Sequence, residues 1–135
     1  MNGYYYLHTN GDLIFKKTEP EVEPGGFVRR VWPIDTSDRK CAWQICIQAL
    51  ALGANKERVE QLVSLWRLTD EDGAVYAERA GLRLFKDGAS WCATFKNFTN
   101  LQESQAGFGD TALDAFVELE RQRISLRVGA PRKGA

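Results

Sequence analysis

Residues 91–119 read WCATFKNFTNLQESQAGFGDTALDAFVEL, from Trp91 to Leu119. Trp91, Ala93 and Phe95 alternate with Cys92, Thr94 and Lys96, the period of a strand with one face more buried than the other. A polar, glycine-bearing stretch follows. Gly109-Asp110-Thr111 then opens a run in which Leu113, Phe116 and Val117, continued by Leu119 and Ile124, fall at helical spacing. Thr111 with Asp114 three residues on is a capping-box signature, in which the hydroxyl accepts an orphan amide of the first turn. A strand, a loop and an amphipathic helix in that order define a piece of architecture. They define no chemistry, because the loop holds no His, Cys, Lys or Arg to complete a catalytic or metal-binding set.

Immediately upstream, Leu82 to Phe85 reads as a partner strand, joined to Trp91–Phe95 through the Gly-containing segment Lys86-Asp87-Gly88-Ala89-Ser90. Gln105 to Phe108 reads as a short third strand. Near the start, Tyr4-Tyr5-Tyr6-Leu7-His8 and Asp12-Leu13-Ile14-Phe15-Lys16 flank Thr9-Asn10-Gly11, and Asn-Gly between two β-prone runs predicts a hairpin with a type I′ turn. Residues 18–26, TEPEVEPGG, read as a loop, and Phe27-Val28 with Val31-Trp32 as a short extended segment ending before Pro33.

Three helices are expected between the two β regions. The first runs from near Ser37 to about Leu52, with Trp43, Cys46, Ile47 and Leu50 on its apolar stripe and Gly53 ending it. Asn55 caps the second, whose inward face is Val59, Leu62, Val63 and Trp66. Thr69-Asp70-Glu71-Asp72 starts the third as a capping box, with three acids at the positive end of the helix dipole. Val75, Tyr76 and Ala80 ride on that helix, and Gly81 stops it.

The chain's 135 residues, 44% of them hydrophobic, suffice for one domain with a real core. Lys plus Arg and Asp plus Glu number 18 each, so no long-range field favours nucleic acid or an anionic membrane. No apolar run approaches the roughly 20 residues of a membrane span, and the polar start is unlike a signal peptide. A cytoplasmic location is therefore expected. Cys41, Cys46 and Cys92 form no C-x-x-C pair. Cys41 and Cys46 point about 140° apart on a helix, so three buried reduced thiols are expected. With His8 the single histidine, no metal site and no cofactor are expected.

Several segments invite a functional reading. Residues 55–80 have the outline of a helix-turn-helix, yet Asp70, Glu71 and Asp72 stand where bases and phosphates would be met, so packing of a helical hairpin is expected and duplex DNA binding is not. Tyr4-Tyr5-Tyr6 could stack bases, but without interleaved Arg or Lys, sheet packing is the simpler reading. Cys92 as a nucleophile would need the distant His8. The stretch from Asn100 to Thr111 is the strongest candidate. Asn100, Gln102, Glu103, Gln105, Phe108 and Asp110 are its candidate binding residues. Gly107 and Gly109 would let a partner approach the backbone, or serve turn geometry.

Gly109-Asp110-Thr111 followed by Ala115 and Leu119, after two strands, resembles the HicB-type antitoxin fold over about residues 82–122. That resemblance implies a small sheet ending in a glycine-Asp-Thr loop and a helix, and a protein partner. The family's Pro-Asp-Leu-Pro-Gly segment is replaced here by Asn97-Phe98-Thr99-Asn100-Leu101, and its separate DNA-binding segment has no counterpart. Across most of the chain, YYYLHTNGDLIFK, the segment from Trp32-Pro33 through ALALGAN, and NLQESQAGFGDT are similar to a group of uncharacterised bacterial proteins, often prophage-associated. This second likeness implies an architecture and no activity.

Taken together these readings give an α+β protein, with two β-hairpins forming a small antiparallel sheet packed against about four helices. Residues 1–124 form a single domain and residues 125–135 a tail. A non-enzymatic interaction module holding a protein partner is the expected function. The alternative is an enzyme acting on a small molecule through Asp87, Glu103 and Asp110 near the 100–111 loop.

Overall fold

Local chemistry sets most element boundaries in the computed structural model, which describes residues 2–19, 27–35, 38–95 and 106–127. Helix α1 (Arg39–Ala51) opens on Asp38, whose carboxylate accepts from the Lys40 amide, just past the start expected near Ser37. Gly53, at φ +98°, follows its last turn as expected. Helix α2 (Lys56–Trp66) is capped by Asn55, which accepts from the Arg58 amide, and helix α3 (Asp70–Ala80) by Thr69, which accepts from the Asp72 amide. Gly81 at φ +75° closes α3. Arg67 closes α2 in the left-handed region at φ 52°, a position carrying no glycine to announce it.

The inward face of α3 is Gly73, Tyr76 and Ala77, with Ala80 half-buried. Val75 instead points to solvent, 52% exposed, because it lies about 100° round the axis from Tyr76. Helix α4 (Ala112–Arg127) buries Ala112, Ala115, Phe116, Val117 and Leu119, and extends past the boundary expected at residue 124.

The α+β class holds, with four helices among the described residues, and each hairpin is the nucleus of its own three-stranded antiparallel sheet. The first sheet has the order β2-β1-β3, with β1 Asn2–His8, β2 Leu13–Lys16 and β3 Val28–Asp35. Its hairpin is not type I′. Gly11 alone has positive φ, at +97°, and its amide donates to the His8 carbonyl at 2.9 Å. The loop therefore has three residues, with Thr9-Asn10 at the turn centre and Gly11 in the left-handed place after it. Strand β3 runs straight through Pro33, which an edge strand tolerates because no ladder needs its missing N–H. Tyr5, Leu7, Leu13, Trp32 and Ile34 face the helices. The Trp32 indole donates to Gln48 on α1 at 2.7 Å.

The second sheet has the order β4-β5-β6, with β4 Leu82–Asp87, β5 Ser90–Phe95 and β6 Ala106–Gly109. Its hairpin loop is shorter than expected: Asp87 pairs with Ser90 across the two residues Gly88-Ala89. Gly88 at φ +65° takes the first turn position, the type II′ pattern. Between the sheets lies α1, whose Trp43 meets Tyr76 of α3 and Phe116 of α4 at ring-centroid distances of 5.8 and 5.7 Å. Among the described residues no helix is long and apolar enough to cross a membrane.

Candidate functional site

Strand pairing assigns each residue of the second sheet to a face. Trp91, Ala93 and Phe95 lie opposite Leu82, Leu84 and Lys86 on one side and Gly107 and Gly109 on the other, and α4 covers this face. A Cβ on Gly107 would stand 2.2 Å from the Ala115 carbonyl oxygen, and one on Gly109 would stand 2.4 Å from Asp114 Cβ. Both glycines are therefore spent on the contact between β6 and α4. They do not open the backbone to a partner, which corrects the expectation from sequence, and neither has positive φ, so turn geometry does not require them either.

The opposite face carries two cross-strand rows: Arg83, Thr94 and Ala106, and Phe85, Cys92 and Phe108. Phe85 is 38% and Phe108 42% exposed, and Cys92 between them is 1% exposed. Burial pushes the Cys92 thiol up, with the Asp87 charge adding to the shift, and Cys92 sits in the row as an apolar element. His8 belongs to the first sheet, where its Nδ1 accepts from the Asn10 amide and its ring stacks on Phe27 at 5.5 Å. Thr94 Oγ1 is buried with no hydrogen-bond partner among the described residues.

Of the candidate residues from sequence, Asn100, Gln102, Glu103 and Gln105 lie outside the described residues. Phe108 and Asp110 are both exposed, Phe108 in β6 and Asp110 directly after it. Asp87 and Asp110 share one end of the sheet, since Asp87 pairs with Ser90 and Trp91 with Gly109. Phe85 was not singled out from sequence. Its signal was available: Arg83, Phe85 and Asp87 alternate with Leu82 and Leu84, so a phenylalanine stands on the polar side of a strand.

Thr111 caps α4 as expected, accepting from the Asp114 amide at 3.1 Å. A second cap comes from outside the helix: Asp70, the first residue of α3, accepts from the Ala112 amide at 2.9 Å. The two helix starts thus share one wall of a cleft of about 500 Å³, which also includes Lys56, Glu60, Ser64 and Asp114. With both N-termini already capped and Glu60, Asp70 and Asp114 facing Lys56, the single cation among the described residues of the wall, the cleft suits a neutral or cationic molecule better than an anion.

Two acids of the α2–α3 unit, Asp70 and Asp72, are used internally. Asp72 accepts from Arg39 Nη2 at 2.7 Å and from the Trp43 indole at 2.7 Å, while Arg39 Nη2 also donates to the Arg67 carbonyl. Among the described residues, no group of three or more His, Cys, Asp and Glu converges on a point that could hold a metal ion. Cys41, Cys46 and Cys92 are free, and burial pushes Cys46 up to about 12. No protein-family model, curated protein or solved structure matches the chain.

Proposed function

We propose that this chain is a non-enzymatic, cytoplasmic interaction module that holds a protein partner on the outer face of the second sheet. The observation that carries the reading is the row Phe85, Cys92, Phe108, in which two large aromatics are exposed on either side of Cys92 on a face that α4 does not cover. Arg83, Asp87 and Asp110, all exposed, give this apolar strip a charged rim. An apolar centre with a polar border is the usual anatomy of a protein-binding patch. The HicB-like likeness of residues 82–122 supports the same region and the same kind of partner.

The test is titration calorimetry with the purified product of the reading frame next to this chain's gene. Binding is expected, and Phe108→Ser is expected to weaken it by about tenfold or more, as loss of an aromatic anchor does. Absence of binding, or binding that Phe108→Ser leaves intact, overturns the proposal. The cleft between α2, α3 and α4 favours a second reading, a small-molecule enzyme, because its volume falls in the range of ligand sites. A small-molecule-induced rise in melting temperature that Asp114→Asn abolishes and Phe108→Ser leaves unchanged would move the function there.

A further inference from the structure

Among the described residues four strand edges are available in the two sheets, and three are blunted. Strand β2 has four residues and ends on Lys16, β3 carries Pro33 and an irregular register where Leu7 and His8 face it, and β6 has four residues of which two are glycine. Such features discourage edge-to-edge pairing. Strand β4 is neither short nor interrupted, and its charges, Arg83, Lys86 and Asp87, are of both signs. It is six residues long, contains neither proline nor glycine, and pairs with β5 residue for residue from Leu82 to Asp87. Among the described residues β5 is its single neighbour.

The two-residue turn fixes which groups of β4 point outward. Asp87 and Ser90 flank the turn and form the hydrogen-bonded pair, so Arg83, Phe85 and Asp87 direct their main chain toward β5. Leu84 and Lys86 therefore present N–H and C=O at the free edge. A second β4 lying antiparallel, with the two-fold axis at Phe85, would satisfy these groups in the pair Leu84 with Lys86 of the other copy. In the same register Arg83 faces Asp87 of the other copy twice, and the two Phe85 rings meet on the axis. These are the non-hydrogen-bonded positions, where opposed side chains stand closest. A shift of two residues one way sets Lys86 against Lys86. A shift the other way sets Arg83 against Phe85 and leaves Asp87 without a partner.

We propose that the chain self-associates through β4, two copies joining edge to edge as a continuous six-stranded antiparallel sheet with Arg83 paired to Asp87 across the axis. The occupant of this edge is a second copy because the charge order of the strand is its own complement on reversal. The pairing would also join the two Phe85–Cys92–Phe108 rows into one apolar strip. The edge shares Phe85, Arg83 and Asp87 with the patch proposed above, so the two are told apart by readout: self-association of the chain alone reports on the edge, and Phe108, two strands away from the axis, reports on the partner.

Sedimentation equilibrium, at concentrations up to about 100 µM to reach the weak range of small interfaces, tests it on the full chain. The parent is expected to be a dimer. Arg83→Asp and Asp87→Arg, each placing like charges opposite one another twice, are expected to weaken association by about tenfold or more. An equimolar mixture of the two variants is expected to associate again, because each then offers the charges that the other lacks. Far-UV circular dichroism on each variant verifies that both hairpins remain folded. A monomeric parent, variants that still self-associate, or a mixture that stays monomeric would each overturn the proposal.

Discussion

Asp72 accepts from three donor groups on α1, two on Arg39 and one on Trp43, although its side chain is still 22% exposed. The Arg39 guanidinium, helped by the Trp43 indole, holds its carboxyl below the usual carboxylate range. A carboxyl depressed in the folded state contributes stability that is complete above its unfolded pKa of about 3.9 and is lost as pH falls through the lower folded value. Arg39 is half exposed, so the ion pair is screened and worth little alone. Asp72→Asn is expected to cost about 1 kcal/mol at neutral pH, and the gap to the parent should close below about pH 4. Urea midpoints of both proteins at pH 7 and pH 3 check this, and a gap that persists unchanged in acid would count against it.

At the scale of elements, the contact between β6 and α4 shows what a glycine can be for. Gly107 brings the strand so near the helix that an added methyl group would meet main-chain atoms of Ala115 and Leu119, neither of which can rotate away. Gly107→Ala should therefore destabilise by about 1–3 kcal/mol through overpacking, read as a lowered melting temperature with near-ultraviolet dichroism altered by movement of Trp91. Gly88→Ala would not serve as its control, because positive φ strains any side chain there. The caps at Asn55, Thr69 and Thr111 and the stops at Gly53 and Gly81 were all legible, because each is a short-range signal carried by one or two residues. The type of the first turn was not, since Asn-Gly serves two- and three-residue loops alike and strand register decides between them. Pro33 was read as an end to β3 because edge position is a property of the sheet. The second cap on α4, from Asp70, crosses 42 residues of chain and leaves no local trace. Phe108 and Asp110, candidate binding residues from sequence, are both exposed, whereas Phe85 needed the pairing of β4 with β5 to show its direction.

The whole molecule turns on α1. Its residues Ile45, Cys46 and Ile47, with Trp43 and Leu50, are buried in one apolar cluster that includes side chains of both sheets. Trp43 is 1% exposed, stacks on Tyr76 and meets Phe116 edge-on. Trp43→Ala would leave a large cavity at this junction and is expected to cost about 3–5 kcal/mol. Because the core is shared, the two sheets should lose stability together. Denaturant curves followed by far-ultraviolet dichroism and by fluorescence of the remaining tryptophans, Trp32 and Trp66 near the first sheet and Trp91 in the second, should coincide in the variant as in the parent. Separate transitions would mean that each sheet, with its own helices, folds as an independent unit.

The two hairpin tips differ in a way that matters for engineering the chain. The Gly11 carbonyl accepts from the Asn55 amide at 2.8 Å, so the first tip is fastened to the bend between α1 and α2. Among the described residues nothing comes within 4 Å of the place where a Cβ would project from Gly88 at the second tip. Exposed, unattached turns tolerate inserted sequence far better than docked ones. An epitope, a fluorophore-bearing peptide or a protease site therefore belongs between Gly88 and Ala89, where it would report on the neighbouring edge and face without prising the first hairpin from the helices.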